Sequence, residues 1–198
     1  MHIDAMHIEA MHIVLQTDRL ILRRFTESDI NDLVALDADP QVTRFISGGR
    51  PTTRMRVEID FLPRYLAQYA AGERYGRWAV IERSSGAFLG LFHFRPATDR
   101  PSDEPELGFR LRRSAWGKGY ASEGAQALID VGFTELGAER VVAQTMAVNV
   151  SSRRVLEKIG LRQVRTFRME WPFPIEGSEH GDVEYAITRA EWEQQNRS

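Results

Sequence analysis

The sequence predicts an α/β protein, a single mixed sheet with helices on both faces. Three observations carry this. The periodic segments run in the order β, α, α, β, β, β, α, β, α, β, β. A strand–helix–strand unit in the middle implies local parallel pairing, because parallel neighbours need a crossover. Strands joined by short turns imply antiparallel hairpins around it, and 198 residues suit one domain.

The elements follow from spacing and punctuation. Leu20–Phe25 reads as the first strand. Thr26 is placed to cap a helix, with Glu27 and Asp29 near its positive end and Ile30, Leu33 and Val34 at helical spacing. Pro40 ends that segment, and 47–51 (Ser-Gly-Gly-Arg-Pro) is a loop. Met55, Ile59, Leu62, Leu66 and Tyr69 form a helical stripe. Pro63 interrupts it, which predicts a kink or two abutting helices. Trp78–Ile81 and Phe88–Phe92 flank Ser84-Ser85-Gly86 and read as a hairpin. After a polar loop from Pro96 to Pro105 come a strand at Glu106–Leu111 and a long helix from Ala121 to Leu136, stopped by Gly137. Val141–Thr145 is the next strand. Asn149 or Ser151 caps a short helix ending at Gly160, and Arg162–Glu170 and Val183–Ile187 close the sheet.

Composition removes several classes of function. Hydrophobic residues are 42% and charged residues 27%, which argues against wholesale disorder. A formal net charge of −2 disfavours a general nucleic-acid or anionic-membrane binder. The absence of cysteine excludes disulfides, thiolate nucleophiles and cysteine-ligated metals, and fits a cytoplasmic setting. No apolar run is long enough to span a membrane, and no signal peptide is evident. Residues 1–13 contain a five-residue Met-His-Ile repeat. Its histidines, five apart, share neither a helix face nor a strand face, so no metal site is expected. These residues are read as an N-terminal extension, and 14–198 as one domain.

The chemistry concentrates in 110–123. A strand ends, Gly117 and Gly119 alternate, and a helix begins. Such glycines let successive N–H groups point into one hollow, and the helix start adds more, which suits a phosphate or pyrophosphate. Arg110, Arg112, Arg113 and Lys118 give this stretch a local charge of +4. A tight turn with solvated arginines would read the same way. The nucleoside-triphosphate and dinucleotide glycine motifs do not fit, so the anion belongs to another ligand.

The stretch Trp116-Gly117-Lys118-Gly119-Tyr120-Ala121-Ser122-Glu123 resembles the acetyl-CoA pyrophosphate loop of the GNAT acetyltransferase superfamily. It is most similar to the branch of ribosomal-protein N-terminal alanine and serine acetyltransferases. Residues 149–161, 17–23 and 185–192 resemble that branch in the same order, so the likeness covers roughly residues 15–193. The resemblance implies a twisted sheet of about seven strands, with parallel strands 4 and 5 (Glu106–Leu111 and Val141–Thr145) splayed around the pantetheine arm. Phe109, Arg110 and Leu111 would border that arm, and Arg112 or Arg113 would meet the nucleotide phosphates. The N–H groups of Gly117, Lys118, Gly119, Tyr120, Ala121 and Ser122 would hold the pyrophosphate. Asn149 and Ser152 would face the thioester.

The implied reaction is acetyl transfer from acetyl-CoA to a primary amine, without a metal. The acceptor would be a protein N-terminus or a small amine, and the protein a monomer or homodimer. The amine must lose a proton, and Glu106 is the candidate base, its pKa raised by partial burial. An equal alternative is a strand-end carboxylate paired with an arginine. Glu104, Glu184 and His180 stand in reserve. Many relatives place a tyrosine acid where this chain has Leu156, so Ser152 is the substitute, unless it only bonds the helix start. That missing tyrosine keeps open a non-catalytic acyl-CoA-binding module. Tyr120 and Trp116 are expected to pack, and His93 to be a satisfied core histidine. Glu176, Glu179, His180, Asp182 and Glu184 would form an acidic rim on the acceptor side, and a solvated loop would read the same way.

Overall fold

The computed structural model describes residues 12–70, 74–96 and 100–197. The histidine repeat up to residue 11 lies outside them. Eight strands form one sheet in the order β1-β2-β3-β4-β5-β6-β8-β7. They are β1 Ile13–Gln16, β2 Leu20–Arg23, β3 Gly76–Glu82, β4 Phe88–Pro96, β5 Pro105–Leu111, β6 Arg140–Met146, β7 Arg162–Phe167 and β8 Asp182–Thr188. β5–β6 is the parallel pair, and the other neighbours are antiparallel. The expected count of about seven strands omitted β1, four residues in which Gln16 and Thr17 follow only three apolar ones.

The helices are α1 Ile30–Ala38, α2 Pro40–Ser47, α3 Leu62–Ala70, α4 Tyr120–Thr134, α5 Val150–Lys158 and α6 Arg189–Asn196. Two of these were not expected. Pro40 ends α1 but also opens α2, as proline can at a first helical position, and Asp39 caps it by accepting from the Gln41 N–H (2.9 Å). α6 is opened by Thr188 and Glu191, which satisfy each other's backbone N–H groups.

The Met55–Tyr69 stripe needs correction. A helical turn at Arg54–Arg56 runs into a π-helical stretch at Val57–Phe61 and then into α3. The chain does not break at Pro63. The wider turn comes immediately before it, where the Leu62 N–H bonds the Val57 carbonyl. The widening shifts the phase of the helix. Val57, Leu62, Tyr65 and Tyr69 are buried, while Met55 and Ile59 are exposed.

Strand alternation sorts the middle of the sheet. Phe92 and Phe94 on β4, with Leu107 on β5, are buried beneath α4, whose Gly124 and Gly132 lie against the two phenylalanine rings. The opposite face carries Leu91, His93 and Arg95 on β4, paired with Arg110, Gly108 and Glu106 on β5. α1 reaches this second face through an Asp37–Arg110 ion pair (2.9 Å).

Tyr69 ties α3 to the sheet. Its hydroxyl accepts from the Phe25 N–H (3.2 Å) and donates to the Arg77 carbonyl, and burial pushes its pKa up to about 12. Tyr69→Phe leaves both buried backbone groups without that partner. It should lower unfolding free energy by about 1–3 kcal/mol, read from urea titrations with an unchanged m value.

Candidate active site

β5 has two different edges. It pairs with β4 along its whole length, from Pro105 to Leu111, but with β6 only at Glu106↔Val142. β6 meanwhile stays paired with β8 from Arg140 to Met146. Beyond Glu106 the parallel strands part, as the expected splay requires.

The opening leads to the glycine turn. Gly117 (φ 72°) and Gly119 (φ 83°) both occupy the left-handed region that glycine tolerates best. The first backbone bond of α4 runs from the Glu123 N–H to the Gly119 carbonyl (3.0 Å), so Tyr120, Ala121 and Ser122 keep N–H groups with no helical acceptor. Arg19 braces the turn by donating to the Lys118 carbonyl (2.9 Å) and pairing with Glu123 (2.6 Å). These residues fit a pyrophosphate.

Several side chains expected at the cofactor are committed elsewhere. Arg110 holds Asp37, while Arg112 holds Asp32 (2.6 Å) and lies over the Phe88 ring. Both acids belong to α1, so of the four basic residues only Arg113 and Lys118 have no ion pair among the described residues. Leu111 is buried and Phe109 packs on Phe92, leaving their backbones to line the opening. Tyr120 donates to Glu82 and stacks under Arg19, as packing predicts. Trp116 does not pack as expected: it is half exposed and anchored by its Nε1 to the Leu111 carbonyl (2.8 Å).

At the point of splay, Glu106 meets His93, with Nε2 and Oε1 3.3 Å apart. The pairing depends on Gly108, directly across from His93, where a Cβ would come within 2.1 Å of the imidazole Cε1. His93 has a hydrogen-bond partner, as a satisfied histidine would, and that partner is the candidate base. The expected upward shift of Glu106 is reversed. Burial alone would raise its pKa, but the hydrogen bond and charge of His93, with Arg95 and Arg100, hold it below the usual value. Burial holds His93 below its own usual value against the pull of Glu106.

Asn149 and Ser152 take distinct roles. The Asn149 carboxamide oxygen caps α5, accepting from the Ser152 N–H (3.3 Å) and the Ser151 hydroxyl (3.0 Å), and its amide donates to Thr145 (3.1 Å). The Ser152 hydroxyl makes no hydrogen bond among the described residues, so capping is not its task. Leu156 is a buried core residue.

The reserve acids Glu104 and Glu184 are paired, and of the acidic segment Asp182 and Glu184 are buried while Glu176 and Glu179 are exposed. Glu184 is buried among Arg100, Arg140, Arg165 and Gln144. Burial pushes its pKa up, but these partners more than offset that and leave it lowered. Glu104 pairs with Arg140 (3.0 Å). The Asp182 carboxylate accepts from the Met169 N–H (2.9 Å), and exposed Glu176 approaches Arg44 (3.6 Å). His180 is exposed beside Glu179. Among the described residues, no group of His, Asp and Glu could hold a metal ion.

The sequence profile of the Acetyltransferase (GNAT) domain matches residues 19–162. The chain belongs to the GNAT acetyltransferase family. It is similar to the FsC-acetyl coenzyme A-N(2)-transacetylase of Aspergillus fumigatus, 35% identical over 185 residues, which cover 90% of this chain and 77% of that protein. Among solved structures, a GNAT-family acetyltransferase from Bacillus anthracis superposes with a TM-score of 0.74 at 25% identity, covering 89% of this chain and 98% of that one. RimL, a ribosomal L7/L12 α-N-protein acetyltransferase solved with coenzyme A, superposes with a TM-score of 0.73 over 89% of this chain and 97% of its own. At 18% identity that likeness shows the fold alone. As a GNAT N-acetyltransferase, the chain is an acyl-transferring enzyme.

The His93–Glu106 pair sets a pH dependence of stability. A folded His93 held below its usual pKa binds a proton less readily than the unfolded one. Its contribution is therefore complete above about pH 6.5 and falls as the pH drops below that. Glu106 is also lowered, so its contribution is present above about pH 4.3 and is lost as the pH falls through the lower folded value. His93→Gln should flatten the loss between pH 7.5 and 5.5 and keep the one below it, as read from urea midpoints across that range.

Proposed function

We propose that this enzyme transfers the acetyl group of acetyl-CoA to a primary amine by direct attack on the thioester. The observation that supports this best is the position of Glu106. It sits on the one residue of β5 that pairs with β6, at the point where the splay opens toward the glycine turn. The Aspergillus relative, whose name gives acetyl coenzyme A and an N(2) nitrogen, supports the same donor and atom type.

The residues divide the work. The turn at 117–122 binds the pyrophosphate through backbone N–H groups and the start of α4. Unpaired β5 backbone beyond Glu106 supplies donors for the developing oxyanion. Glu106 stays ionised near neutrality, attracts the protonated amine and takes its proton, with His93 bonded to the carboxylate. Ser152, half-buried at the start of α5, relays a proton from water to the departing thiolate and ends as a neutral hydroxyl.

Two substitutions test the assignment. Gly119→Val forces a branched residue into a φ of 83° on the turn itself. It should weaken acetyl-CoA binding at least tenfold by calorimetry while the circular dichroism spectrum is kept. Unchanged affinity in the folded variant would remove the turn from the site. Glu106→Gln should bind acetyl-CoA normally yet release thiol about 10²–10⁴-fold more slowly with an accepted amine. Equal rates across pH 6–9 would exclude Glu106 as the base. Binding without thiol release by the wild type, across a broad amine panel, would leave an acyl-CoA-binding module.

A further inference from the structure

The face that carries Glu106 holds two guanidinium groups with no ion pair among the described residues: Arg77, which lies over the Tyr65 ring, and Arg95, whose charge acts on Glu106 without touching it. Arg95 lies directly across the β4–β5 ladder from Glu106, yet Glu106 turns to His93, two pairs along and next on the same face. No described carboxylate lies within ion-pairing distance of Arg95, although Arg100, Arg110, Arg112 and Arg140 all have one. Its Nε is buried with no hydrogen-bond partner, and Nη1 reaches the Pro96 carbonyl only at 3.4 Å. A half-buried guanidinium with one long hydrogen bond and no ion pair has donors left for a further acceptor.

The missing partner is not the cofactor's phosphate. Glu106 lies near the start of β5, and the glycine turn follows its end. Five residues of strand separate Glu106 from Leu111, roughly 17 Å at about 3.3 Å per residue. Arg95 therefore serves the acceptor side. Directly opposed strand residues have Cβ atoms about 4.5–5.5 Å apart, so groups bound by Arg95 and Glu106 are separated by only a few bonds. The planar fork of arginine matches a carboxylate.

We propose that Arg95 anchors a carboxylate of the acceptor, so that the enzyme's substrates are amines carrying a carboxylate a few bonds from the reacting nitrogen, which faces Glu106. The inference rests on the acetyltransferase reading above. It replaces the acidic rim with a cationic anchor as the basis of acceptor choice.

The test compares matched acceptors with the full-length enzyme and acetyl-CoA, following thiol release. The pairs are 4-aminobutyrate with 4-aminobutyramide, and leucine with leucinamide; 1,4-diaminobutane is the cationic control. Wild type should favour the carboxylate member by about 10- to 100-fold in kcat/KM, mostly through KM, the range expected for a charge-assisted bond. Arg95→Gln should reduce that ratio at least tenfold. Preference for the amides or the diamine, or a ratio unmoved by Arg95→Gln, would overturn the anchor while leaving acetyl transfer intact. A readout without turnover is thermal unfolding of the coenzyme A complex. Butyrate should raise the midpoint of wild type more than that of Arg95→Gln, whereas equal shifts, or none beyond those given by butanol, would overturn the proposal.

Discussion

The interaction on which the site depends is the single backbone pairing between Glu106 and Val142. A parallel ladder would normally continue along both strands and close the sheet. Here it stops after one residue, while β4 and β8 hold the outer edges of β5 and β6 along seven residues each. The two halves of the sheet are each rigid, and the gap between them is a fixed opening. α4 starts at the far end of that opening with free N–H groups, and α5 starts after β6 on its other side. The glycine turn, Glu106 and the start of α5 are thereby arranged around one defect in one sheet.

Charges around the opening are settled by pairing between elements distant in sequence. Arg110 and Arg112 read as phosphate ligands in a local window, but Asp37 and Asp32 of α1 claim them. Glu184 reads as part of an acidic rim, but guanidinium groups from the β4–β5 connection, β6 and β7 neutralise it. Glu106 reads as a carboxylate raised by burial, but a histidine from the neighbouring strand reverses the shift. In each case the residue was visible and its partner was not.

Local signals were legible wherever geometry is local. The Ser-Ser-Gly turn, the stop at Gly137, the alternating glycines before α4 and the Asn149 cap all stand where the residue types put them. Legibility failed where a short element lacked period or where packing overrode it. β1 is too brief to show alternation, and Pro40 served both as a stop and as a start. Around residue 57 the π-helical turn shifted the phase of the Met55–Tyr69 stripe, so its first two members faced outward. His93 was set aside because Phe92 and Phe94 flank it, although the same alternation puts it on the other face. Only the β4–β5 register could join it to Glu106.

That alternation has an evolutionary consequence. On β4 and β5 one set of positions, including Phe92, Phe94 and Leu107, is committed to the core under α4. On the opposite face His93, Arg95 and Glu106 are half-buried and contribute little to that core. Descendants of such a chain can exchange the second set while inheriting the first intact. Substitutions at these positions leave the hydrophobic layer undisturbed, so diversification along these two strands need not pass through poorly folded ancestors.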